Sequence, residues 1–314
     1  MARKLVNTKE VSHQEWLDLR KKSIGGSDAG SVMGMNQYQS AITLYSKKLG
    51  LSKEAETNEA MRLGNDLEEY VAQRFCEATD KKVRRDNFMW MHEDYDFITA
   101  NVDREIVGEN AGLECKTMNS FAKYDLENQE VPAHYYCQCQ HYMMVKGYDK
   151  MYLAILVFQR GVYILEVERN QDFINELLEA EIEFWTECIE KKQMPAPDGS
   201  EDAMETVSTL YPHDDGGEMF LEHADSKIGK YNELGALIKQ LKTQQDEIKA
   251  QMCAELGDSA IGLGDNFACS WKSQTRTSVS GSKLKAKYPE IYEELKETSE
   301  YRVFRTKKLK KKSN

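Results

Sequence analysis

Apolar residues recur at helical spacing over residues 12–22, where Trp16, Leu17 and Leu19 gather, and the stretch Ile24-Gly25-Gly26-Ser27-Asp28 interrupts that helix with a glycine pair. A new helix is predicted to start at Ser27 or Asp28, both good N-cap types. A third covers residues 59–78, with Met61, Leu63, Leu67, Val71 and Phe75 forming much of an apolar face and Glu68 close beside it. From residue 82 to 117 the period shortens to that of strands. Residues 133–146 are helical again, and 147–167 form a hairpin around Gln159-Arg160-Gly161. A closing helix is expected near 171–192. Helices, a strand group, a helix, two more strands and a helix describe an α/β fold, with helices flanking a central mixed β-sheet.

Pro195, Pro197, Asp198 and Gly199, the acids through Glu205, and then Pro212, Gly216 and Gly217 mark a breaker-rich linker. The expected division is a core over 1–195, a linker over 196–217 and a C-terminal helical arm with short strands and a basic tail over 218–314. In the arm, Tyr231, Leu234, Ile238, Leu241, Ile248 and Met252 alternate spacings of three and four, with Gln245 in the one gap. That pattern suits a helix packing on another helix or an oligomerisation coil. A strand over 267–273, a helix over 282–296 and an extended piece over 301–304 are expected to follow.

The chain has 314 residues, which at roughly 150 residues per domain allows one main domain and an appendage. No N-terminal stretch resembles a signal peptide, and the apolar run 151–158 falls far short of the ~20 residues of a membrane span. A soluble, intracellular protein is expected. Seven cysteines without a CxxC pair fit reduced thiols better than a disulfide framework. A net charge of −11 first argues against a polyanionic partner, but the charge is segregated. Acid collects over 54–69 and 166–205. Base collects at Arg20, Lys21 and Lys22 and at Arg302, Arg305, Lys307, Lys308, Lys310, Lys311 and Lys312. A basic groove within an acidic surface and a solvated tail both account for this.

Candidate chemistry lies in the strand group. Asp103 is expected on one strand and Glu114 and Lys116 on the next, across the turn Gly108-Glu109-Asn110-Ala111-Gly112. Side chains two apart on a strand share a face, so Glu114 and Lys116 project together while Leu113, Cys115 and Thr117 face the other way. Two carboxylates can hold a hard divalent cation, and a lysine beside them can position or deprotonate water or neutralise a phosphate. These are the parts needed for metal-assisted phosphodiester hydrolysis.

Taken together, Gln14-Glu15-Trp16-Leu17-x-Leu19-Arg20, Ile24-Gly25-Gly26-Ser27-Asp28, Leu63-Gly64-Asn65-x-Leu67-Glu68, Asp103, Glu114-Cys115-Lys116 and Gln138-Cys139-Gln140-His141-Tyr142 resemble the YqaJ-type viral recombinase nucleases. These are similar to bacteriophage lambda exonuclease, within the PD-(D/E)xK superfamily. The resemblance covers roughly residues 12–167. Val102 stands where the superfamily name has proline, a position at which that proline is commonly absent.

The resemblance implies a restriction-endonuclease-like core and specific roles. Asp103, Glu114 and the Cys115 backbone carbonyl would ligate Mg²⁺, for which Mn²⁺ would substitute, with Glu68 as a further acid from the neighbouring helix. Lys116 would orient the attacking water. Gln138 and Tyr142, four apart on a helix, would support the lysine and the DNA backbone, while Arg20 and Ser27 would receive a terminal 5′ phosphate. The implied enzyme is a DNA exonuclease degrading linear duplex from its 5′ end to leave 3′ single strand for recombination, phage- or prophage-encoded and cytoplasmic in a bacterial host. Its partners would be duplex DNA ends and a single-strand annealing protein, and a ring-shaped homotrimer around DNA is compatible with it. Alternatives are an endonuclease of the same superfamily and a catalytically idle DNA-end adaptor. A zinc site from His134, Cys137 and His141, with Cys139 nearby, has no evident fourth ligand.

Overall fold

The computed structural model describes residues 2–52, 58–121 and 124–308. Two compact units divide at Tyr211 and Pro212. Along the first run β1 (Arg3–Asn7), α1 (His13–Lys21), α2 (Gly26–Val32), α3 (Ala41–Lys48), α4 (Glu59–Thr79), β2 (Val83–Arg85), β3 (Phe88–Met91), β4 (Thr99–Ala100), β5 (Arg104–Ile106) and β6 (Ala111–Met118). Then come α5 (Ala133–Lys146), β7 (Lys150–Val157), β8 (Gly161–Glu168), α6 (Gln171–Glu183), a π-helical stretch Phe184–Glu190 and α7 (Glu201–Leu210).

The main sheet has the order β2-β5-β6-β7-β8, with β6 and β7 parallel and the other neighbours antiparallel. This is the mixed, helix-flanked α/β sheet expected of a restriction-endonuclease-like core. Strand alternation divides its side chains between two apolar layers. Ile106, Leu113, Tyr152 and Ala154 meet Val71, Ala72 and Phe75 of α4 on one face. Met151, Leu153, Ile155 and Val157 meet Cys139, Tyr142 and Met143 of α5 on the other. Asp103 just precedes β5, whose pairing sets Arg104 against Leu113 and Glu105 against Gly112. One further step of that register sets Asp103 opposite Glu114.

The sequence left β1 unread; it joins β3 and β4 in a separate three-stranded antiparallel sheet. Helix α2 starts at Gly26, before the expected Ser27 or Asp28, with Gly25 as its N-cap and the Asp28 carboxylate accepting the Gly25 N–H at 3.0 Å. With no side chain at the cap, the Gly25 carbonyl accepts the Asp28 N–H at 2.8 Å while the Asp28 carboxylate reaches back to the Gly25 N–H.

The expected linker over 196–217 is corrected at α7. Ser200 caps this helix, Ala203 is buried, and Asp202 accepts hydrogen bonds from the Ser40 N–H and hydroxyl, each at 2.7 Å, and from the Thr43 hydroxyl at 2.6 Å. Acidic composition disguised a helix whose aspartate is an acceptor for α3. The core therefore extends past residue 195, to Tyr211.

The second unit holds α8 (Ala224–Leu256), the hairpin β9 (Ile261–Leu263) and β10 (Ala268–Ser270), α9 (Gly281–Lys287) and α10 (Pro289–Leu295). The helix expected over 282–296 is broken before Pro289, which lacks the N–H needed to continue it. Residues 301–304 adopt no regular element, although the Phe304 ring packs edge-on against Tyr231 at 5.3 Å. Lys310, Lys311 and Lys312 of the basic tail and Glu54 of the acidic stretch lie outside the described residues. Among those described, no helix is long and apolar enough to cross a membrane.

Candidate active site

Asp103, Glu114 and Lys116 converge on the α5 face of the main sheet. Burial and close polar contacts set their charge states. Glu114 is only 3% exposed, yet its Oε1 accepts from Lys116 Nζ at 2.7 Å and from Gln138 Nε2 at 2.6 Å. Glu114 Oε2 is buried without a hydrogen-bond partner. Asp103 Oδ2 accepts the Cys115 N–H at 2.8 Å. Gln138 Nε2 also lies 2.9 Å from the Tyr142 hydroxyl, which is an acceptor there. The i, i+4 spacing on α5 thus aligns Gln138 and Tyr142 behind Glu114.

Electrostatics make this cluster incomplete. Burial and the nearby Glu114 charge push the Asp103 carboxyl well above the ordinary carboxylate range, and Glu68 adds to the rise. Burial likewise raises Glu114, against the pull of Lys116. Burial alone would lower Lys116, but Glu114 and Asp103 outweigh it and hold the ammonium above the usual lysine range. Tyr142 is raised by burial and by the two carboxylates, so its phenol stays neutral. The raised lysine favours a fixed cation over a proton acceptor. Two crowded carboxylates with an unsatisfied oxygen match the donor set of a hard divalent ion.

Glu68 is not brought into this pair. Its Oε1 accepts from Arg104 Nη1 at 2.5 Å, while Arg104 Nη2 donates to Glu69 at 3.0 Å and Nη1 to the Asp103 carbonyl at 2.7 Å. The cause is alternation: Arg104 points to the α4 face and Asp103 to the α5 face. Among the described residues, no group of three or more His, Cys, Asp or Glu is arranged to hold a metal ion. Glu68 acts on the pair through its charge and through Arg104. Alternation in the sequence puts Arg104 on the face opposite Asp103, but that α4 covers that face is given only by the fold.

Arg20 and Ser27, from α1 and α2, do meet: Arg20 Nη2 donates to Ser27 Oγ at 2.6 Å, and the guanidinium lies 4.7 Å from the Trp16 ring centre. Behind them Lys48 donates to the Arg20 carbonyl at 2.7 Å, the Ser23 carbonyl at 2.6 Å and Asp28 Oδ2 at 2.6 Å. Burial disfavours the Asp28 charge, but Lys48, Arg20 and the Gly25 N–H together hold its carboxyl below the ordinary range. Lys48 escaped the sequence reading because one lysine of a Lys47-Lys48 pair gives no sign of which is buried. Gly26 connects this elbow to the Asp103–Glu114 cluster, since a Cβ there would lie 2.5 Å from the Tyr142 ring.

The zinc grouping is dispersed. His141 Nδ1 is 2.7 Å from Glu181 Oε1 and its Nε2 is 2.8 Å from the Thr99 carbonyl, whereas Cys137 contacts Met35 and His134 packs on Tyr135. Burial and Lys116 lower the His134 pKa to about 4.

The model of the YqaJ-like viral recombinase domain matches residues 15–149. A Bacillus subtilis (strain 168) protein, "Uncharacterized protein YqaJ", is 36% identical over 310 residues, spanning 97% of each chain. Among solved structures, that of LHK-Exo in complex with dAMP is 20% identical, with a TM-score of 0.49, covering 57% of this chain and 93% of that one. A phage related exonuclease from Haemophilus somnus 129PT is 15% identical, with a TM-score of 0.44, covering 55% and 96% respectively.

Proposed function

Because this chain belongs to the YqaJ-like viral recombinase family, we propose that it is a Mg²⁺-dependent DNA exonuclease that degrades linear duplex from a 5′ end and leaves a 3′ single strand. The observation that carries the reading is the buried, unpartnered Glu114 Oε2, on the same sheet face as Asp103 and the charged Lys116. A buried carboxylate oxygen without a partner costs stability, and beside a second carboxylate and a cation open to solvent it is an acceptor free to bind.

Asp103, Glu114 and the Cys115 carbonyl would hold the ion, which, when bound, acidifies water and stabilises charge on the departing oxygen. Lys116 orients the attacking water as a cation. Gln138 fixes Glu114 and is itself aligned with Tyr142. Arg20 and Ser27 take the terminal 5′ phosphate, for which a planar guanidinium is well shaped. In this reading Glu68 tunes the pair from the other face through Arg104. A single-strand annealing protein is the proposed recipient of the 3′ tail, and a homotrimeric ring the proposed assembly; both rest on the family resemblance.

Digestion with Mg²⁺ of linear duplex bearing 5′ phosphate, linear duplex bearing 5′ hydroxyl, and covalently closed circles tests the proposal. Phosphorylated linear DNA should be degraded fastest, circles should remain intact, and chelation should stop all cutting. Cleavage of the circles would overturn the exonuclease assignment in favour of an endonuclease.

A further inference from the structure

We infer that Lys48 is a positioning residue for recognition of the 5′ terminal phosphate, an assignment that rests on the Arg20–Ser27 role proposed above. The Lys48 side chain is 6% exposed, and its ammonium donates to three acceptors around one elbow: the Arg20 and Ser23 carbonyls, which lie at and just beyond the end of α1, and the Asp28 carboxylate in the first turn of α2. An ammonium has three donors, so this geometry occupies its full capacity. It is also paired with Asp28 at 2.6 Å, which cancels most of its charge. Direct contact with a phosphate is therefore closed to it on both counts. What remains is placement.

The rest of the elbow is tightly seated, which makes the Lys48 contacts decisive for its shape. Ile24 N–H donates to the Phe97 carbonyl at 2.6 Å, Thr99 N–H to the Ile24 carbonyl at 2.9 Å, and the Ser23 and Thr99 hydroxyls are 2.8 Å apart. Gly26 lies against the Tyr142 ring. These bonds fix the elbow between Ser23 and Gly26. At the end of α1 the Ser23 hydroxyl also donates to the Leu19 carbonyl at 3.2 Å and the Ser23 N–H to the Arg20 carbonyl at 3.5 Å, and Lys48 adds the link from the Arg20 carbonyl to the carboxylate that caps α2. Lys48 thereby joins the Arg20 and Ser27 sides of the elbow through one ammonium, and so helps to set the width of the cradle offered to a phosphate.

The test pairs Lys48→Met with Asp28→Asn, so that no buried charge is stranded, and adds Lys48→Met alone for comparison. Binding of a short duplex with a 5′ phosphate or a 5′ hydroxyl is measured by fluorescence anisotropy in EDTA, and kcat and KM are measured on both ends with Mg²⁺. Thermal melting establishes that each variant is folded. The expected result is a fall of about tenfold or more in the phosphate-over-hydroxyl ratio of kcat/KM, carried by KM, and a matching loss of phosphate selectivity in binding. General damage to the fold would lower both substrates together and leave the ratio in place. A folded double variant that keeps the parent's ratio overturns the role of Lys48. A parent enzyme with no preference between the two ends overturns the phosphate reading itself, and this inference with it.

Discussion

Of the buried lysine–carboxylate pairs in the core unit, two have opposite characters. Lys48 and Asp28 meet at 2.6 Å, and neither leaves a buried polar atom without a partner. Lys116 and Glu114 meet at 2.7 Å, yet Glu114 Oε2 has no partner and a second carboxylate, Asp103, stands opposite. The first pair is closed and links the end of α1 to the first turn of α2; the second leaves a buried carboxylate oxygen open. Burial of charge is thus not itself a mark of chemistry. Glu181 Oε2 is also unpartnered, but Glu181 and His141 are both 0% exposed, whereas the Lys116 side chain is 23% exposed and can be reached from solvent.

The sharpest way to break this contrast is to remove the open pair. Lys116→Ala should lower kcat by at least about 10²- to 10³-fold, the usual cost of losing one preorganised charge-stabilising group, while duplex binding in EDTA stays near the parent's. Glu114→Gln should abolish cleavage and also the calorimetric signature of Mg²⁺ binding. Retained cleavage in the lysine variant would remove the assigned role and make the two pairs alike.

Stability should respond in the reverse order. Lys48→Met leaves the Asp28 carboxylate buried without its cation, and breaking such a pair costs about 3–5 kcal/mol. Glu114→Gln removes a charge that its surroundings oppose, so its metal-free stability should lie within about 1 kcal/mol of the parent or exceed it. Urea denaturation in EDTA measures both. Equal losses would mean that the Glu114 cluster is as much a structural element as the Lys48 one.

This division also explains what could be read from the sequence. Helix α5 was placed over residues 133–146 because its ends and period are local properties, and Asp103, Glu114 and Lys116 fell together because strand alternation and a short turn leave little freedom. The pairing of Glu68 with Arg104 was not legible because helix α4 packs on the Leu113 face of the sheet, and a single sequence does not state which face a helix will cover. Helix α7 was concealed by acidic composition, although its Asp202 satisfies Ser40 and Thr43 from far along the chain. Lys48 was invisible for the same reason: all three of its acceptors are set by tertiary structure. Local periodicity exposed the open site, while the closed one depended on contacts that only folding creates.

The smallest expected effect is the most discriminating, because it concerns protons. Asp103 and Glu114 have folded pKa values raised by burial and mutual repulsion, so the native state binds protons more tightly than the unfolded chain. For a raised carboxylate, stability falls as pH rises from the ordinary carboxylate range through the folded pKa, the opposite of the behaviour expected of Asp28, whose carboxyl is held low. In EDTA, the parent should therefore be less stable than Asp103→Asn at neutral pH, and this gap should close as the medium is acidified. Mg²⁺ should take the place of the proton: at neutral pH it should stabilise the parent by on the order of 1 kcal/mol and leave Asp103→Asn unchanged. As the pH falls, the apparent Mg²⁺ affinity should decline, because protons compete for the same oxygens. A pH-independent gap between parent and variant, or equal stabilisation of both by Mg²⁺, would show that the unpartnered oxygen of Glu114 faces no ion-binding site, and the distinction between the open and closed pairs would then rest on burial alone.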